Sequence, residues 1–164
     1  TFADAEKYRV AYDRALDRLA REAGPGVAGS PGISVKLSAL HPRYDATNRE
    51  RVLAELTPKV IELDRQAKRY DLNFTVDAEE ADRLELSLDI IDAVVADPSL
   101  AEWDGFGLAI QAYQKRASAV IDHIGRLAEA HGRRMMVRLV KGAYWDTELK
   151  RAQERGLADY PVFT

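Results

Sequence analysis

Apolar and polar positions along the chain switch repeatedly between two periods. In residues 2–23, Tyr8, Ala11, Tyr12, Ala15, Leu16 and Leu19 recur at three- and four-residue intervals with charges between them, which predicts an amphipathic helix. The Gly- and Pro-rich run Gly24 to Gly32 then predicts a loop. From Ile33 to Ser38 the period becomes two, that of a short strand. Thr47-Asn48-Arg49-Glu50 has capping-box spacing and opens a long periodic stretch to Tyr70 that Pro58 should interrupt. Leu72 to Asp77 reads as a strand and Glu79 to Ala96 as the helix after it. A turn at Asp97-Pro98 leads to a strand over Phe106 to Ala112 and a helix to about His131. The last strand runs from Arg134 to Lys141, followed by a helix that Asp146 could cap and Arg155-Gly156 ends.

The predicted order is a helix followed by four βα units. Strands alternating with helices pair in parallel, as in a (β/α)8 barrel or an open doubly wound sheet. Four strands cannot close a barrel of eight, so the chain is either a small open sheet or part of a TIM-type barrel. The strand faces favour the barrel. Ile33, Val35 and Leu37 oppose Ser34, Lys36 and Ser38; Phe74 and Val76 oppose Thr75 and Asp77. Leu108 and Ile110 oppose Ala109 and Gln111; Met135, Val137 and Leu139 oppose Met136, Arg138 and Val140. An open parallel sheet covered on both faces would show continuous apolar runs instead.

Length and charge narrow the picture further. The 164 residues suit one domain, here a partial barrel over 1–164, and the net charge of −3 supplies no basic footprint for nucleic acid. Without cysteine there is no disulfide, thiolate metal site or thiol nucleophile, which fits a reducing compartment. No window has the roughly 18 apolar residues of a membrane span, and no signal-peptide pattern opens the chain. It begins at Thr1 rather than Met and breaks off at Tyr160-Pro161-Val162-Phe163-Thr164, so both ends read as cut.

Lys36, Asp77, Gln111 and Arg138 should point into one barrel interior near its carboxyl end, where barrel enzymes place their chemistry. Buried cations are costly unless paired. The set is therefore either a ligand site or a structural ion pair, Lys36–Asp77 or Asp77–Arg138. Arg near a flavin stabilises its reduced anion, and an amide can satisfy a pyrimidine edge, though spacing does not select a flavin over other polar ligands. In Lys141-Gly142-Ala143-Tyr144-Trp145-Asp146, Gly142 permits close backbone approach, and Tyr144 and Trp145 offer flat apolar surface; an ordinary βα loop reads the same way. Gly24-x-Gly26-x-x-Gly29 sits in helix–loop–strand context, the reverse of a dinucleotide fingerprint. Asp77 to Asp82 holds several acids, but Glu79, Glu80 and Asp82 are expected in a first helical turn and supply too few oxygens for a hard cation, so no metal is expected. His41, His123 and His131 lack zinc spacing.

At these residues the chain resembles a known family. Lys36 to Tyr44, Asp77 to Glu85, Gln111 to Arg116 and Val137 to Asp146 are similar to the proline dehydrogenase domain of bacterial proline utilization A, and the resemblance runs over essentially all residues. It implies a distorted (β/α)8 barrel holding FAD, oxidation of L-proline to Δ1-pyrroline-5-carboxylate, and electrons passed to a membrane quinone. By the resemblance Lys36 would neutralise the proline carboxylate, Asp77 would lie beside substrate and flavin, and Tyr144 would wall the pocket. Gln111 would hydrogen-bond the isoalloxazine ring and Arg138 would sit near its N5. Ala78, Val140, Lys141, Gly142 and Ala143 would contact the cofactor, with Trp145 packed near it. A cytoplasmic parent is implied, with peripheral attachment to the inner membrane and homo-oligomers both compatible with the resemblance.

The family's remaining strands, a late helix with paired arginines and its aldehyde dehydrogenase module have no counterpart here. About half a barrel is therefore expected, which alone should expose two sheet edges and be inactive, aggregate or depend on a second copy. Two other readings compete: a small open α/β domain that binds nucleotide or flavin without catalysis, and a non-enzymatic fragment.

Overall fold

The computed structural model describes residues 1–164. Helix α1 (Phe2–Leu19) continues as a 3-10 turn to Glu22. The Gly- and Pro-rich run is less irregular than its composition suggests, because Gly26–Gly29 closes one helical turn, α2. Strands β1 (Gly32–Val35), β2 (Asn73–Val76), β3 (Phe106–Gln111) and β4 (Met136–Val140) alternate with helices α4 (Arg49–Arg69), α5 (Leu84–Ala96), α6 (Ala117–Ala130) and α7 (Trp145–Glu154). A single turn, α3 (Leu37–Leu40), follows β1 directly. The first strand is thus shorter than its alternation suggested, and Leu37 is buried in a helical turn rather than on a strand face.

All three strand pairings are parallel, and the strands lie in sequence order, β1-β2-β3-β4. A doubly wound sheet reverses its strand order at a switch point. This sheet never does. The order is that of a stretch of barrel wall and counts against the open doubly wound alternative.

Three local expectations change. The capping box at Thr47 does not form; Asp45 instead accepts from Thr47 N–H at 2.9 Å and caps a 3-10 turn, while Asn48 precedes α4 without a side-chain cap. Helix α4 runs through Pro58 unbroken. An interior proline costs about 3 kcal/mol, but Val52, Leu56, Val60, Leu63 and Ala67 are all buried on one face of α4, and that packing outweighs the local loss. Asp146 lies inside the first turn of α7, and Tyr144 is the residue before it, with no side-chain cap.

The core lies between the helices and the outer sheet face, where Phe74 and Phe106 stack with centroids 6.5 Å apart. Every residue of β3 is buried. The outer face of β4 departs from the expectation that helices cover it: Val137 and Leu139 are 48% and 60% exposed.

Asp64, on the core side of α4, is fully buried, and neither carboxylate oxygen has a hydrogen-bond partner. Burial pushes its carboxyl well above the ordinary value, with the nearby Arg133 guanidinium opposing. An acid whose folded pKa is raised is stabilising while protonated, and stability declines as pH rises above the unfolded value near ~3.9. Asp64→Asn is therefore expected to stabilise the domain by about 1–3 kcal/mol at pH 8, with the gain shrinking toward pH 4. Melting at both pH values checks this. An Asn variant less stable than wild type at pH 8 would mean a charged Asp64 paired with Arg133.

Candidate active site

At the carboxyl ends of the strands, the inner sheet face holds a cavity of about 520 Å³. Each strand or its end delivers at least one polar group to it, because residues two apart share a face. Ser34 and Lys36 come from β1 and its end, Asp77 from the end of β2, Ala109 and Gln111 from β3, and Arg138 and Val140 from β4. Register holds them level: Ala109 pairs with Arg138 and Gln111 with Val140, and Asp77 N–H donates to Val35 carbonyl at 2.9 Å.

Asp77 is the centre of charge. Its Oδ2 lies 3.3 Å from Lys36 Nζ, and its Oδ1 2.6 Å from Arg138 Nη2, which also donates to Ser34 Oγ at 3.3 Å. Cations from the two edge strands therefore converge on one carboxylate, so both ion pairs foreseen as alternatives form together. Burial works to lower the Lys36 pKa, but Asp77, with Tyr144 and Glu79 adding to it, outweighs burial and raises it. Lys36 stays an ammonium. Lys141 also lines the cavity, so Lys36, Arg138 and Lys141 face a single lining carboxylate. The net positive charge suits an anionic ligand.

The wall opposite is backbone. Gly142 adopts φ +126°, and a Cβ there would meet the Tyr113 ring at 2.1 Å. Tyr113 lies against this segment, and its hydroxyl accepts from Tyr144 N–H at 3.0 Å. Burial raises the pKa of Tyr113 and, assisted by Glu79 and Glu80 against the opposing Lys36, that of Tyr144, so both phenols are neutral. Gln111 is almost fully buried; it donates to the Glu79 carbonyl at 2.8 Å and accepts from Ala143 N–H at 3.1 Å. One amide N–H and one lone pair are left for a ligand.

Lys36, Asp77, Ala78, Gln111, Arg138, Val140, Lys141, Gly142, Ala143 and Tyr144 all line the cavity. Trp145 does not: its indole N–H donates to the Phe163 carbonyl at 2.9 Å. Ser34 and Ala109 were readable from strand alternation. Tyr113 and Glu79 were not. Glu79 and Glu80 do not open a helix, as their acidic run suggested. They lie in the loop between β2 and a 3-10 turn at Ala81–Arg83, and α5 starts only at Leu84.

Two other cavities lack this convergence. One, of about 290 Å³, lies beside α7 and is lined by arginines and acids that already neutralise each other; the other, about 550 Å³, includes Trp103, Met135 and Met136 at the amino-terminal end of the sheet.

A parallel sheet in sequence order, with its polar cavity at the carboxyl ends of the strands, defines a (β/α)-barrel enzyme domain. Over residues 1–164 the sequence matches the family described as proline dehydrogenase. The chain belongs to that family. It is 55% identical over its whole length to the bifunctional protein PutA of Rhizobium meliloti. It superposes on Bradyrhizobium japonicum proline utilization A with a TM-score of 0.98 at 67% identity, covering all of this chain and 17% of that one. A proline utilization A structure with proline bound in remote sites agrees equally well, at TM-score 0.98 and 67% identity, again over 100% of this chain and 17% of that one. The chain spans 12 to 13% of the length of the curated relatives it matches.

Proposed function

We propose that these residues form part of a flavin-dependent proline dehydrogenase site, which oxidises L-proline to Δ1-pyrroline-5-carboxylate and passes the electrons to a quinone. One observation carries the reading: three cations converge with a single carboxylate on a cavity walled by backbone. That donor set fits FAD, whose pyrophosphate and reduced ring are anionic, together with a substrate carboxylate. FAD, when bound, supplies the acceptor for the hydride from the proline carbon next to nitrogen.

The chain's own residues bind and orient. Lys36, with one of its three N–H bonds turned to Asp77, uses the others for the substrate carboxylate, and fixing that group orients the reacting carbon. Arg138, held by Asp77 and Ser34, presents its remaining N–H groups to the ring edge. Gln111 offers its spare N–H to the same ring. Lys141 and the Gly142–Ala143 segment, which line the same cavity, would contact the cofactor, and Tyr144 would wall off water. Membership of the family described as proline dehydrogenase supports the substrate class.

The test is the visible spectrum after FAD addition and gel filtration, with and without anaerobic L-proline. It is run on this chain and on a full-length PutA polypeptide carrying this segment. A flavin band that proline bleaches in the full-length protein supports the reading, and a band in the isolated chain shows that four strands suffice to hold the cofactor. A full-length protein that stays colourless, or whose flavin proline leaves oxidised, overturns the reading.

A further inference from the structure

Glu79 lies outside the cavity lining, yet it joins all four strand ends. Its side chain is 6% exposed. Oε1 accepts from Ser38 N–H at 3.0 Å, Oε2 accepts from Ser38 hydroxyl, and Arg83 Nη1 donates to the same oxygen at 3.3 Å. Its main-chain carbonyl takes the Gln111 amide, whose oxygen in turn receives Ala143 N–H. The chain of bonds runs Ser38, Glu79, Gln111, Ala143, one link per strand end.

Ser38 is two residues past Lys36, and Glu79 two past Asp77. The carboxylate thus clamps the segment that carries the substrate-facing ammonium to the one that carries its counter-ion. A carboxylate that accepts two bonds from one residue and a third from a guanidinium is a strong, directional tie. From this geometry we infer that Glu79 is a positioning residue: through Ser38 it sets where Lys36 stands, and through its backbone carbonyl it braces the Gln111–Ala143 wall. The inference rests on the proposed proline site, because it assigns Glu79 its effect through Lys36.

The two halves of Glu79 make separable predictions. Removing the side chain frees Ser38 and leaves the carbonyl bond to Gln111 in place. In a full-length PutA carrying this segment, Glu79→Ala is expected to raise KM for L-proline by about tenfold or more, to lower kcat by less than about threefold, and to leave flavin retention unchanged. Glu79→Gln keeps one acceptor for Ser38 N–H and should recover part of the loss. The decisive comparison is a double-mutant cycle: Lys36→Met should cost much less in the Glu79→Ala background than in wild type, because Lys36 is already misplaced.

A Glu79→Ala protein that melts lower but keeps the wild-type KM, or in which Lys36→Met costs its full effect, would show a purely structural tie and overturn the inference. Failure of the parent reading looks different: wild type itself would not be reduced by proline. In that case exchange of the Ser38 and Ala143 amides in Glu79→Ala still decides the clamp, with faster exchange at Ser38 expected and unchanged exchange at Ser38 overturning it.

Discussion

Asp77→Ala is expected to reduce kcat/KM for L-proline by about 10²-fold or more in a full-length protein carrying this segment, while shifting its melting point little. Two facts produce the split. The carboxylate is the meeting point of Lys36 and Arg138, at 3.3 and 2.6 Å, which arrive from opposite edges of the sheet. Without it the two cations repel each other across the cavity and neither keeps its position, and misplacement of about 1 Å at a reacting centre costs on the order of 10²-fold. The pairs themselves contribute little to folding, because Lys36 and Arg138 are 49% and 53% exposed at their side chains, and solvent-screened pairs of that kind supply at most about 1 kcal/mol. Asp77→Asn keeps an acceptor but not the charge, and should fall between. Dye reduction with proline and a thermal melt on the same preparations check both halves. An Ala variant within threefold of wild type would remove Asp77 from the site.

Gly142→Ala is expected to abolish flavin retention and to lower stability by about 2–3 kcal/mol. Two independent obstacles add. At φ +126° an L-residue is strained whatever the space, and the new Cβ would lie 2.1 and 2.2 Å from two Tyr113 ring carbons. The segment must shift, and with it go the bonds from Ala143 N–H to Gln111 and from Tyr144 N–H to the Tyr113 hydroxyl. Combining Gly142→Ala with Tyr113→Ala removes the collision but not the dihedral strain, so the double variant should recover only part of the loss. Gel filtration with FAD, read against a denaturation curve, tests this; full recovery in the double variant would show that sterics alone mattered.

Much of this was legible in the chain. The switch between periods of two and about three and a half placed the strands and long helices to within a few residues, except that α5 starts at Leu84 rather than Glu79, because burial of one face imposes that pattern wherever an element packs. The polar residue carried by each strand's inner side followed from the same alternation, and Lys36, Asp77, Gln111 and Arg138 do share one cavity. Local signals served less well. Thr47 and Asp146 had the right residue types for helix starts but do not cap them, and Pro58 does not break α4, since tertiary packing outweighs a local preference of a few kcal/mol.

The sequence by itself determined the class of fold, the inner face of the sheet and the polar groups on it, because periodicity and side-chain chemistry are properties of position along the chain. Strand order, which separates a barrel wall from a doubly wound sheet, had to come from the tertiary structure. So did the double pairing at Asp77, the Tyr113 ring against Gly142, and the role of Glu79. Those depend on which residues far apart in sequence arrive within hydrogen-bond reach. Ser38 and Glu79 are 41 residues apart, and Gln111 lies 32 beyond Glu79, so only the paired strands could bring them together.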